Sequence, residues 1–226
     1  MSDRDRLQAA VFDMDGVLVD SEPHHHVAWR RICLEEGLSL TLAQVAERTL
    51  GRPVRESLPT LLGRPLEPDE IERLTQRKAT FYQEASGGVV REVRGATPFV
   101  RALTALGVQC ALATSALPRR VEPILDALQL ADRFQVKVTG QDVQRGKPDP
   151  EVYLTVAARL RVRPDACVVF EDAPVGVVAA RRAGMSVVGL ATSRDADELY
   201  AAGALAVVPD FTGLTWEQVA ARGWRG

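Results

Sequence analysis

Residues 9–16 read Ala9-Ala10-Val11-Phe12-Asp13-Met14-Asp15-Gly16, an apolar run that ends in two aspartates and a glycine. A short apolar run bounded by turn residues fits a strand buried on both faces of a parallel sheet. Comparable runs recur at Val108 to Ala113, Phe134 to Val138, Ala166 to Phe170, Val187 to Leu190 and Ala204 to Val208. Helix-like segments separate them: Pro98 to Leu106, Arg119 to Leu128, Glu151 to Leu160, Val175 to Ala183 and Asp195 to Ala202. In the second of these, Val121, Ile124, Leu125 and Leu128 fall at helical spacing. Strands alternating with helices predict an open α/β sheet.

One stretch breaks the alternation. Residues 21 to about 92 hold helical patterns and no convincing strand: His25 to Glu36, Leu42 to Leu50, Val54 to Leu62 and Asp69 to Glu84. Along the last, Ile71, Leu74, Lys78 and Phe81 share one face. Gly87-Gly88 and Gly95 mark the return to the sheet. The pattern predicts a helical module inserted after the first strand, with two chain crossings as hinges, as in lids that cover active sites.

The bulk figures bound the function. The chain has 226 residues, 46% of them hydrophobic and 26% charged, with a formal net charge of −2. That balance fits a globular protein and lacks the basic face that nucleic-acid binding needs. The pairs Arg30-Arg31, Arg119-Arg120 and Arg181-Arg182 read as solvated helix surface. Cys33, Cys110 and Cys167 are odd in number and form no CxxC, so no disulfide framework is expected, in keeping with a cytoplasmic protein. The N-terminal residues do not read as a secretory signal, and no apolar run approaches the ~18 residues of a membrane span. The expected state is a monomer or weak dimer.

In a parallel α/β sheet, ligands bind beyond the carboxyl ends of the strands. Asp13 and Asp15 follow the first expected strand, Thr114 and Ser115 the second, and Glu171 and Asp172 the fourth. Gly146-Lys147-Pro148-Asp149-Pro150 opens a helix nearby in sequence. Crowded carboxylates repel one another unless a cation lies among them, and an all-oxygen ligand set without histidine or cysteine suits Mg²⁺ rather than zinc. Thr114 can donate to a phosphoryl oxygen, and Lys147 can neutralise developing charge. One carboxylate can attack phosphorus while a second carries protons.

The segment Val11-Phe12-Asp13-Met14-Asp15-Gly16-Val17-Leu18 resembles the first motif of the haloacid dehalogenase superfamily. Thr114-Ser115, Lys147 and Glu171-Asp172 resemble the second, third and fourth motifs, in that order. The resemblance spans essentially the whole chain and rests on DxDG together with GKPDP and FEDAPVG. It implies a Rossmann-like doubly wound core, residues 1–20 and 93–226, with a helical cap domain over residues 21–92. It also implies that Asp13 is the nucleophile and a metal ligand. Asp15 would be the acid/base, with its backbone carbonyl on the metal. Thr114 and Lys147 would bind the phosphoryl group. Asp172 would ligate Mg²⁺, with Glu171 binding it directly or through water. Asp15, absent from the founding dehalogenases, points to phosphoryl chemistry.

Within the superfamily, the insert resembles the β-phosphoglucomutase and sugar-phosphatase branch. Asp20-Ser21-Glu22-Pro23 resembles that branch's first hinge, and His25, Trp29 and Lys78 fall at cap positions of the mutases. Val54 stands where the mutases carry a phosphate-binding arginine, with Arg52 and Arg55 close by, and Leu117-Pro118 replaces a polar pair. The expectation is a Mg²⁺-dependent phosphatase acting on a small phosphorylated metabolite, a sugar phosphate in the first instance, with Thr114, Ser115, Lys147, His25, Lys78 and Arg52 as substrate contacts. The alternatives are a hexose phosphate mutase and a non-catalytic binding domain.

Overall fold

The computed structural model describes residues 7–49 and 52–221. Residues 1–6 and 222–226 of the expected core lie outside the described residues, as does Leu50, the expected end of the second inserted helix. Six strands form one parallel sheet: β1 (Ala9–Phe12), β2 (Gln109–Ala113), β3 (Val136–Val138), β4 (Cys167–Glu171), β5 (Ser186–Leu190) and β6 (Ala206–Val208), in the order β3-β2-β1-β4-β5-β6. This is the order of a Rossmann-like doubly wound sheet, whose ligand crevice opens where the strand order reverses, beside β1.

The strands are apolar on both faces because helices cover both. Ala10 and Phe12 of β1 turn to a layer made by α5 (Ala96–Ala105), α6 (Pro118–Ala127) and α10 (Trp216–Ala221). Ala9 and Val11 turn to α7 (Glu151–Leu160), α8 (Pro174–Arg182) and α9 (Ala196–Ala201). Phe12 stacks on Phe170 of β4 with ring centroids 4.9 Å apart, and Phe99 and Phe211 pack around the pair. Such aromatic pairs add about 0.5–1.5 kcal/mol each beyond area burial. They also fix the register: Phe12 lies opposite Leu112 on one side and Phe170 on the other. Asp13, the residue after β1, is thereby delivered beside Glu171, the last residue of β4.

Between β1 and α5 the described residues form four helices, α1 (Glu22–Glu35), α2 (Leu42–Thr49), α3 (Val54–Leu62) and α4 (Pro68–Ser86). They share an apolar cluster of their own around Trp29, Ile32, Leu58, Leu61, Leu74 and Phe81. The chain enters and leaves this unit through adjacent extended segments. Asp20 N–H donates to Arg91 O at 2.8 Å, and Val93 N–H donates to Leu18 O at 3.0 Å.

The strands expected from sequence match those observed to within two residues. The helix α10 and a single turn of 3₁₀ helix at Pro164–Ala166 were not foreseen. The three cysteines are free and buried. No helix among the described residues is long and apolar enough to cross a membrane.

Candidate active site

Beyond Phe12 the chain leaves β1 in a tight turn, closed by Leu18 N–H and Val19 N–H, which both donate to Met14 O. Gly16 within it has φ +72°, and a Cβ there would overlap the Asp172 carboxylate and crowd Ser193. The position therefore demands glycine twice, by backbone conformation and by the closeness of the β4 end. Thr192 Oγ1 donates to Gly16 O at 2.5 Å and ties the turn to the loop after β5.

Three carboxylates meet at this junction. Asp13, Glu171 and Asp172 each present an oxygen, and these atoms lie within 4.8 Å of one another. Lys147, itself buried, donates to Asp13 Oδ1 at 2.8 Å and to Glu171 Oε1 at 2.6 Å. Glu171 is held on every side. Tyr153 O–H donates to its Oε1 at 3.0 Å, and the N–H groups of Asp172 and Ala173 donate to its Oε2 at 2.9 and 3.0 Å. Its carboxylate also lies against Gly176 of α8, where a Cβ would collide with it.

One ammonium among three buried carboxylates leaves negative charge without compensation. Burial raises the Asp13 carboxyl to about 7; Lys147 opposes that rise, while Glu171 and Asp15 add to it. Burial, then the charges of Glu171 and Asp13, push Asp172 well above the usual carboxylate range. Burial alone would lower Lys147, but Asp13 and Glu171 outweigh it and hold the ammonium charged. A hard divalent cation fits this donor set: all its candidate side-chain ligands are oxygen, and it relieves the repulsion that raises Asp13 and Asp172.

Above the junction lies a cavity of 530 Å³ between the sheet edge and the inserted helices. Its walls include Asp13, Asp15, Thr114 and Ser115 from the sheet side, and His25, Trp29, Arg52, Lys78 and Tyr82 from the helices. Thr114 is buried at the end of β2, where its Oγ1 accepts Ala116 N–H at 3.1 Å. Arg52 has a buried Nε without a hydrogen-bond partner. Lys147, Glu171 and Asp172 sit beneath this wall, in contact with Asp13 or within ligand distance of it, rather than along it. Glu56 of α3 accepts Gly146 N–H at 3.1 Å, which docks the inserted helices on the loop that carries Lys147.

The Asp15 side chain faces away from the three-carboxylate junction. Arg120 grips it with two bonds of 2.5 Å, Ser21 O–H donates to its Oδ1, and His25 Nε2 approaches the same oxygen at 3.4 Å. Burial would raise Asp15, but the charge and hydrogen bonds of Arg120, with help from His25, hold it well below the usual range. Lys78 Nζ donates to His25 Nδ1 at 2.7 Å, so the imidazole accepts at Nδ1 and donates from Nε2. Burial, then the charges of Lys78 and Arg120, depress His25 to about 3 and keep it neutral. Lys78 also lies 4.9 Å from the Trp29 ring centroid.

Arg120 corrects the sequence reading, which took Arg119-Arg120 as solvated surface. Arg119 is exposed at the cavity, but the Arg120 side chain is only 21% exposed and bridges the sheet edge to the inserted helices. Its guanidinium lies 4.7 Å from the Tyr82 ring centroid and donates to Tyr82 Oη at 3.1 Å. Tyr82 and Tyr153 were also missed. Tyr153 could have been found: it is the one hydroxyl on the otherwise apolar buried face of α7, and a buried hydroxyl needs a partner.

Known proteins resemble this chain over most of its length. The family model for haloacid dehalogenase-like hydrolase matches residues 7–184. A phosphorylated carbohydrates phosphatase of Thermotoga maritima is 37% identical over 89% of this chain and 94% of its own. A validoxylamine A 7'-phosphate phosphatase of Streptomyces hygroscopicus subsp. limoneus is 32% identical over 94% of this chain and 98% of its own. The crystal structure of a β-phosphoglucomutase from Clostridium difficile superposes with a TM-score of 0.85, at 24% identity, over 96% of this chain and 97% of that one; it speaks for the fold.

Proposed function

The chain belongs to the haloacid dehalogenase-like hydrolases, and from that premise we propose that it is a magnesium-dependent phosphatase of a small phosphorylated carbohydrate. The observation that carries the reading is the junction of β1 and β4, where Asp13, Glu171 and Asp172 converge and Lys147 bridges Asp13 to Glu171. The substrate class follows the two relatives above, named for phosphorylated carbohydrates and for validoxylamine A 7'-phosphate.

Asp13, Asp172 and the backbone carbonyl of Asp15 would hold Mg²⁺. Glu171, whose oxygens already accept from Lys147, Tyr153 and two backbone N–H groups, would reach the ion through water. The ion, when bound, supplies positive charge to the phosphoryl oxygens. An Asp13 oxygen attacks phosphorus, the ester P–O bond breaks, and its electron pair stays on the leaving oxygen, which takes a proton from Asp15. Water then attacks the same phosphorus and gives a proton to Asp15. The bond to Asp13 breaks, which restores the carboxylate and releases phosphate. Lys147 orients Asp13 and balances its charge, and Thr114 and Ser115 donate to the phosphoryl oxygens. Residues 21–92 act as the cap over the core formed by residues 1–20 and 93–226, and His25, Lys78 and Arg52 meet the carbohydrate.

A panel of sugar phosphates, phosphoglycolate and nucleoside monophosphates, assayed for phosphate release with magnesium and after chelation, tests this reading. Asp13→Asn is expected to abolish release with an unchanged circular dichroism spectrum; full activity in that variant would sink the assignment. A hexose phosphate mutase is the second reading, favoured by Arg52, Lys78 and Arg119 in the cavity wall, which offer a hold for a second phosphate. β-Glucose 1-phosphate with a trace of its bisphosphate separates the two: glucose 6-phosphate as product means mutase, and free phosphate means phosphatase.

A further inference from the structure

The phosphatase reading leaves the surroundings of Asp15 unexplained. Each of its oxygens accepts a 2.5 Å bond from Arg120, and Oδ1 accepts from Ser21 as well. A carboxylate gripped at both oxygens by a guanidinium fork offers neither to a leaving group. Asp15 also cannot simply turn away. Arg120 is largely buried, and its Nε already lacks a partner. Removing the carboxylate would strand a buried charge, which is strongly destabilising. Among the described residues, the other partner of the Arg120 fork is Tyr82, a neutral phenol. Asp15 can therefore leave only when other oxygen atoms take its place, and the cavity that Arg120, Asp15 and Tyr82 line has room for them.

We propose that Arg120 is a positioning residue that parks Asp15 as a carboxylate until a polyhydroxylated leaving group supplies acceptor oxygens to the guanidinium; the freed Asp15 then takes a proton from water and passes it to the leaving oxygen. The inference rests on the reading of Asp15 as the acid/base. It makes substrate selection a matter of release: a polyol phosphate reaches Arg120 with hydroxyl oxygens, whereas a short alkyl phosphate leaves Asp15 where it is. Arg120 touches no reacting atom; it acts through Asp15.

The test measures kcat and KM for sorbitol 6-phosphate, ethyl phosphate and p-nitrophenyl phosphate, with magnesium, in the native protein and in Arg120→Gln. p-Nitrophenolate departs without a proton, so its first-turnover burst reports on attack by Asp13 without the acid role of Asp15. In Arg120→Gln, kcat for ethyl phosphate rises while kcat/KM for sorbitol 6-phosphate falls. The selectivity ratio narrows by at least ~10-fold, the scale of a hydrogen bond to a charged group. A ratio that stays within about twofold, or a parallel fall for both esters, overturns the proposal. If Arg120→Gln does not fold, Arg120→Lys keeps the charge but loses the fork, and the same outcomes apply. Native protein inert toward p-nitrophenyl phosphate defeats the phosphatase reading and this inference together. Turnover of that ester with an unchanged ratio defeats the inference alone.

Discussion

Gly176→Ala sets two well-understood effects against each other. Gly176 lies within α8, and alanine in a helix interior is ordinarily better than glycine by about 0.5–1 kcal/mol. Here, however, the added Cβ would enter the space of the Glu171 carboxylate, closer than real Cβ atoms approach any neighbour. Glu171 has little freedom to yield, because Lys147, Tyr153 and two backbone N–H groups hold it. Overpacking of this kind costs roughly 1–3 kcal/mol, so the balance is a net destabilisation of up to about 2 kcal/mol. For a chain of this size that lowers Tm by up to roughly 4–8 °C in a calorimetric scan. Activity should fall further than stability. Lys147 is braced by Glu171, and a ~1 Å displacement near the reacting atoms can cost as much as ~100-fold in rate. Phosphate release at saturating substrate and magnesium reads that loss. A variant that melts above the native protein and turns over at the native rate would show that Glu171 does not occupy this position.

Lys147→Met removes the cation between Asp13 and Glu171; we expect a stability loss on the order of 3–5 kcal/mol in urea unfolding, together with loss of phosphate release. Lys78 gives a pH test. Burial, reinforced by the charge of Arg120 and opposed by Asp15 and Glu22, lowers Lys78 from 10.5 to about 7. The folded protein then binds this proton more weakly than the unfolded chain, so the cost of holding Lys78 charged is full below pH 7 and is relieved as pH rises from there toward 10.5. Lys78→Met should therefore gain on the native protein by on the order of 2–3 kcal/mol more near pH 6 than near pH 9.5. A gain independent of pH would contradict the burial of a titrating ammonium.

The core was legible because a strand covered on both faces has to be apolar throughout, and runs such as Ala9 to Phe12 and Ala166 to Phe170 leave no other home for their side chains. The inserted helices were legible from period alone, as in Leu74, Lys78 and Phe81 on the buried face of α4. Helix α10 was not, since a short element held by Trp216 and Val219 carries too few turns to show a period. At the site, strand ends named Asp13, Thr114, Glu171 and Asp172, because sheet topology alone brings them to one edge. Arg120 escaped because its meaning lies in a partner 105 residues away. Nothing in the local pattern of α6 separates an arginine facing water from one facing Asp15. Glu171 shows the complementary limit: its motif was visible, but its bonds to Tyr153 and to its own following N–H groups exist only once α7 and α8 are folded against β4.

The paired segments at Leu18 to Asp20 and Arg91 to Val93 have an evolutionary consequence. The four-helix unit departs and returns at neighbouring backbone positions already joined by hydrogen bonds. What lies beyond that junction is, to the sheet, a single long excursion, and doubling the length of such a loop costs only ~0.6 kcal/mol in closure entropy. Larger, smaller or unrelated inserts could be spliced at the same two points while β1 still delivers Asp13 to β4. A lineage could thus trade one specificity for another without rebuilding its chemistry.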